Sequence, residues 1–140
     1  MNLHLWQLLD LAIAYVLALP IGWERERDER SAGLRTYPLV SIASCAYVLI
    51  GIVFLKSADA ESRVIQGLAS GIGLVGAGAI IQDRMRVHGT ATAASILGTS
   101  AIGSAVAFGG YDIAIALSAL SYFTLLFMKP LKRREESEKT

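Results

Sequence analysis

The sequence predicts an all-α, polytopic transmembrane helical bundle of five spans, with the N-terminus outside and the C-terminus cytoplasmic. Three observations carry that prediction. Of the 140 residues, 54% are hydrophobic and only 18% are charged, whereas a water-soluble domain carries about a quarter charged residues. Long uncharged runs recur along the chain, and Lys and Arg gather almost entirely at one set of their ends. The near-balance of 13 Lys and Arg against 12 Asp and Glu leaves a net charge of +1. That balance offers no basic surface for nucleic acid.

The first segment, Leu3 to Gly22, is apolar apart from His4, Gln7 and Asp10. A secretory signal peptide would open with basic residues, and none precedes Arg25, so this helix is expected to be retained. Thr36 to Leu55 gives 20 residues without a charge, which at 1.5 Å per residue matches a hydrocarbon core of about 30 Å. Val64 to Gln82 and Gly89 to Tyr111 are uncharged runs of 19 and 23 residues, taking His88 as the edge of the latter. The last, Ile113 to Met128, reaches spanning length if Tyr111 and Asp112 begin it and Lys129 snorkels. Residues 130–140 form a short charged tail, expected to be frayed, beyond a single transmembrane domain of residues 1–129.

Orientation follows from the basic residues. Arg25, Arg27, Arg30, Arg35, Arg84, Arg86, Lys129, Lys132, Arg133, Arg134 and Lys139 fall on one side, with only Lys56 and Arg63 on the other. The positive-inside rule makes the richer side cytoplasmic. An odd number of spans also excludes two equal inverted halves of the common transporter kind.

The third run is dense in glycine: Gly67, Gly71 and Gly78 share one helical face, while Ala69, Gly73 and Gly76 share the opposite one. Small residues on two sides imply a helix clamped between neighbours, with Leu68, Ile72 and Val75 as a bulky stripe facing lipid or a partner. A homodimer is the expected assembly. In the fourth run Thr92, Ser95, Thr99 and Gly103 line one face, read first as hydroxyls that bridge helices and second as a polar passage. The single cysteine, Cys45, lies in an apolar run and reads as a small hydrophobe.

An ionisable residue at membrane depth is a functional candidate, which singles out Asp10, about one-third of the way along the first helix. At the inner edge, Glu24 is expected to pair with Arg35, and Glu24 with Asp28 would sit four apart on one helical face. That spacing could present two carboxylates to a hydrated Mg²⁺. Asp10, Glu24 and Asp28 are therefore the candidate metal residues, and no other cofactor is expected. His88 has no second histidine or cysteine at ligand spacing. No nucleophile–base pair, phosphate loop or dinucleotide fingerprint occurs, so no enzyme is expected.

Read together, four blocks resemble the membrane domain of the MgtC/SapB family. They are Ile21-Gly22-Trp23-Glu24-Arg25-Glu26-Arg27; Ala32-Gly33-Leu34-Arg35-Thr36; Gln66 with Ser70-Gly71-Ile72-Gly73-Leu74-Val75-Gly76-Ala77-Gly78-Ala79-Ile80; and Val87-His88-Gly89 with Thr92-Ala93-Ala94-Ser95. The resemblance marks Glu24, Arg25, Arg35, Gln66, Gly71, Gly73, Gly76, Gly78, Thr92 and Ser95 as motif residues. It implies a multi-span bacterial inner-membrane protein linked to growth in low magnesium, with some members tied to the proton-translocating ATP synthase. Many members carry a cytoplasmic regulatory domain after the last helix, and this sequence runs to Thr140. Leu97 stands where the family commonly has Trp, and Asp10 where a basic residue is frequent. The expected function is thus a non-enzymatic, magnesium-linked membrane regulator or accessory protein, with a small oligomeric cation transporter as the alternative.

Overall fold

A computed structural model describes residues 2–27, 32–83 and 86–138. It is an all-α bundle with one short hairpin. Helix α1 (Asn2–Arg27) holds Pro20 in its interior and ends on Arg25 and Arg27, whose charge suits the negative end of the helix dipole. The chain then turns through Gly33, whose carbonyl accepts from the amides of Thr36 and Tyr37 at 3.0 and 3.2 Å. Helix α2 (Thr36–Ile50) runs on into one π-helical stretch, Gly51–Leu55, so the pair fills the uncharged run of the sequence. Lys56, at φ 48°, stops it in the left-handed region.

Helix α3 (Ala58–Gly78) starts six residues earlier and stops four residues sooner than the uncharged run Val64 to Gln82. Ser57 caps it by accepting from the Ala60 amide at 3.2 Å, and Asp59 and Glu61 in the first turn meet the positive end of its dipole. That end absorbs the charges which broke the apolar pattern. The apolar part of the helix, residues 64–78, is therefore only about 22 Å long. Beyond it, strands β1 (Ile81–Asp83) and β2 (Arg86–His88) pair antiparallel, with Ile81 opposite His88, a hairpin that the uncharged run did not announce. Gly89, at φ 91°, then caps helix α4 (Thr90–Ala107), and a Cβ there would run into the Ala79 carbonyl oxygen. Gly109, at φ 74°, makes the turn into helix α5 (Tyr111–Glu138). The helix continues past Pro130 to Glu138 where a frayed tail was expected, in keeping with the good helix propensity of Lys, Arg and Glu.

Among the described residues four helical stretches are long and apolar enough to cross a membrane: Leu5–Arg27, Thr36–Leu55, Thr90–Ala107 and Tyr111–Met128. Helix α3 is not one of them, yet its contacts make it cross the bundle. Gly22 abuts Leu34 and the Ser41 hydroxyl donates to the Ala14 carbonyl at 2.8 Å, so α1 and α2 are antiparallel. Tyr37 bonds Ser95 at 2.7 Å and Ser44 bonds Ser100 at 2.8 Å, so α2 and α4 run the same way. Val64 sits against Gly51, and Gly76 against Ala93, which turns α3 the opposite way between them. The hydroxyls of Tyr111 and Ser118 donate to Asp10 and to the Leu17 carbonyl, laying α5 parallel to α1. Directions thus alternate through five crossings, so the start of α1 and the end of α5 lie at opposite ends of the bundle.

The core collects small and branched side chains: Ala14, Ala18, Ile21, Tyr37, Cys45, Val48, Ile96, Ile102, Val106 and Ala114. The outer surface is as apolar as the core, with Leu8, Val16, Leu39, Ile50, Phe54, Ile115 and Leu120 among the exposed large side chains. In water such a surface would aggregate; in lipid it is the expected solvent-facing side. Trp6 and Trp23, 65% and 57% exposed, stand 17 residues apart on α1. That separation is about 25 Å along the helix axis, which suits two aromatic belts at the two edges of a bilayer.

Candidate functional site

The best-defined polar site lies where α1 ends against the starts of α2 and α4. Ile21, Glu24 and Arg25 recur at helical spacing on the face of α1 that turns inward, and all three are buried, Glu24 to 2% and Arg25 to 6% exposure. Glu26, on the outer side, reaches back so that its Oε2 accepts the Leu34 amide at 3.1 Å. That bond ties the end of α1 to the approach to α2, and a Cβ at Gly33 would oblige the Glu26 carboxylate to move aside. Among the described residues the Arg25 Nε and Nη2 atoms are buried without a hydrogen-bond partner.

Behind it, Tyr37 is fully buried and its hydroxyl shares a 2.7 Å bond with Ser95 Oγ. Ser95 in turn reaches the Thr92 carbonyl at 2.9 Å, and Thr99 donates to the Ser95 carbonyl at 2.8 Å. Further along, Ser44 lies 2.8 Å from both the Val40 carbonyl and Ser100 Oγ. With one proton on each hydroxyl, Ser44 donates to the carbonyl and Ser100 donates to Ser44. Ser41 bonds α1, and Gly103 lets α4 press against α2 so closely that a Cβ would run into the Ser41 carbonyl oxygen. Of the hydroxyl face of the fourth run, Ser95 bridges to α2 while Thr99 bonds back onto its own helix.

At the other end, Asp10 is half-buried and accepts from the Tyr111 hydroxyl at 2.6 Å. Asp10 and Glu24 are separated by 14 residues of one continuous helix, about 21 Å, so they cannot hold one ion together. Asp28 lies outside the described residues. Among the described residues no cluster of three His, Cys, Asp or Glu side chains is placed to grip a metal ion.

The other motif residues divide sharply. Thr92 and Ser95 are buried in the α2–α4 contact. Arg35, expected to pair with Glu24, is exposed at the start of α2. The expected clamp on α3 is one-sided. Gly76 packs on Ala93, but Gly67, Gly71, Gly73 and Gly78 have nothing within 4 Å of an added Cβ. Leu68 and Ile72 pack into the core, where the sequence placed them on the outer stripe, and of that stripe only Val75 is largely exposed. Gln66 is exposed on the outer side, and His88 is exposed at the end of β2. Sequence reasoning missed Tyr37, Ser41, Ser44, Ser100 and Tyr111. The signal available was the three-residue step from Ser41 to Ser44, which sets two hydroxyls close together on one side of α2.

Comparison with known proteins fits the four blocks. The MgtC family pattern matches residues 11–134. Protein SrpB of Synechococcus elongatus is 35% identical over 88% of this chain and 73% of its own length. Protein MgtC of Salmonella typhimurium is 32% identical over 91% of this chain and 54% of its own. YhiD of Escherichia coli, whose name designates it a candidate magnesium transporter, is 30% identical over 84% of this chain and 58% of its own. The chain therefore spans little more than half of the latter two. No solved structure matches it.

Proposed function

Because the chain belongs to the MgtC family, we propose that it is a non-enzymatic regulator or accessory protein of magnesium homeostasis in the bacterial inner membrane. It acts by lateral association with another membrane protein, the proton-translocating ATP synthase being one such partner. One observation carries this reading over a pore. The interior hydroxyls that could line a passage are engaged in helix–helix bonds: Tyr37 with Ser95, Ser44 with Ser100, and Ser41 with Ala14. The carboxylate at membrane depth, Asp10, is engaged by Tyr111. A hydrated Mg²⁺ gives up water reluctantly and needs carboxylates or retained waters along its way.

The competing reading is a cation transporter, favoured by the name of YhiD and by Asp10 itself. Purified protein in vesicles loaded with a Mg²⁺-sensitive dye separates the two. The expected result is uptake no faster than in protein-free vesicles. Uptake that is present in the wild type and abolished by Asp10→Asn would establish transport and end the regulator reading.

The proposed orientation places the basic ends of the helices in the cytoplasm, with the N-terminus outside. A fluorescent reporter that matures only in the cytoplasm, fused after Thr140, should therefore light up, and an alkaline phosphatase fused there should be inactive. The reverse pattern inverts the topology.

A further inference from the structure

Helices α1 and α5 keep one register. The Tyr111 hydroxyl donates to Asp10 and the Ser118 hydroxyl to the Leu17 carbonyl, and the residues of each pair are 101 apart in sequence. Carried along two parallel helices, that offset sets Trp23 level with Thr124 and Arg27 level with Met128. Helix α5 then continues from Lys129 to Glu138, about 15 Å past the level of Arg27.

Trp23, 57% exposed, belongs to the aromatic belt at this end. Beyond its level the charges of α5 come in two groups. Lys129, Lys132, Arg133 and Arg134 lie about 8 to 15 Å further along the axis, and Glu135, Glu136 and Glu138 about 17 to 21 Å. A headgroup layer is about 5 to 7 Å deep, so the basic group stands next to the phosphates and the acidic group stands off. A screening length of about 8 to 10 Å therefore lets the first act on the phosphates and largely silences the second.

Other helices add to the basic end. Arg27 and Arg35 are exposed there, whereas Glu24 is buried and Glu26 accepts the Leu34 amide. By sequence this end holds eleven Lys and Arg against eight Asp and Glu, and the other end two against four. At that other end Arg63 is moreover paired with Asp59 at 3.1 Å. Four basic residues within six positions just beyond a span attract anionic lipid.

We propose that the basic end of the bundle is a binding site for anionic phospholipid headgroups, built from Lys129, Lys132, Arg133 and Arg134 on the projecting end of α5 with Arg27 and Arg35 beside them. This holds whether the protein regulates or transports.

Tryptophan quenching tests it, in symmetric vesicles of equal parts phosphatidylglycerol and phosphatidylcholine with one lipid brominated at a time. The chain has two tryptophans, one at each end, so Trp6→Phe leaves a reporter at the basic end and Trp23→Phe one at the other. Phosphatidylglycerol should be favoured about threefold at Trp23 and not at all at Trp6. Phe127→Trp, with both native tryptophans replaced by Phe, puts a reporter at an exposed position two residues before Lys129 and should show the same preference. Raising NaCl from 0.1 to 1 M shortens the screening length from about 10 to 3 Å and should erase it. Lys129→Gln, Lys132→Gln and Arg133→Gln together should erase it too, whereas Glu135→Gln with Glu136→Gln should leave it in place. Equal quenching by the two lipids at Trp23 and at Phe127→Trp, the same preference at Trp6, or persistence through the triple replacement would overturn the proposal.

Discussion

Gly103→Val separates α2 from α4 and lowers the melting temperature in detergent by roughly 10 °C or more. The reason is what the new Cβ meets. At Gly103 the obstacle is backbone, the Ser41 carbonyl and the Cys45 amide nitrogen, the latter 3.1 Å from an ideal Cβ. Backbone cannot swing aside as the end of a side chain can. Overpacking of a tight core costs about 1 to 3 kcal/mol, occasionally more, out of a total stability of about 5 to 15 kcal/mol. The shift also breaks alignment of the Tyr37–Ser95 and Ser44–Ser100 bonds on either side. Gly71→Val is the matched control, since nothing lies within 4 Å of its Cβ. It should melt within about 2 °C of wild type, because exposed substitutions usually stay within about 0.5 kcal/mol. Equal melting temperatures for the two variants would refute the close approach of α2 and α4.

Removing both buried charges together, Glu24→Gln with Arg25→Met, is expected to act in the opposite sense, leaving stability unchanged or raised while abolishing function. Among the described residues Nε and Nη2 of the guanidinium have no hydrogen-bond partner, so folding bears its desolvation without the return of those bonds. Replacing buried ionic groups as a set by uncharged ones of similar volume is often neutral or stabilising, by about 1 to 4 kcal/mol, whereas removing one charge alone leaves the other uncompensated. Groups kept at such a cost are candidates for function, since activity and stability often trade against each other. Complementation of a deletion strain at limiting magnesium should fail for the double variant, although the protein accumulates in the membrane and melts at or above the wild-type temperature. A drop in melting temperature of more than about 5 °C would show instead that the two charges are structural groups.

The helices were largely legible because a bilayer imposes one length on all of them, and charges mark their ends. The limits of α3 were not, since its N-terminal charges are accommodated by the Ser57 cap and the helix dipole, which hydrophobicity alone does not register. Nor was the direction that α3 faces. Glycines on two sides carry no hydrophobic signal, and Leu68 and Ile72, which decide the matter, look equally at home in lipid and in a core. On the hydroxyl face of α4 Ser95 bridges helices and Thr99 turns back onto its own helix, and the partners on α2 were hidden in an ordinary apolar run. Glu24 and Arg25 stood out as charges at a membrane edge. Their withdrawal from water is displayed only by the folded chain.

The shortness of the apolar part of α3 bears on the bilayer as well as on the protein. About 22 Å of hydrocarbon-compatible helix beside spans matched to about 30 Å obliges the acyl chains along that flank to compress or tilt, at fractions of a kcal/mol for every ångström of mismatch. The bilayer is therefore expected to thin locally along α3, and the more so the thicker it is.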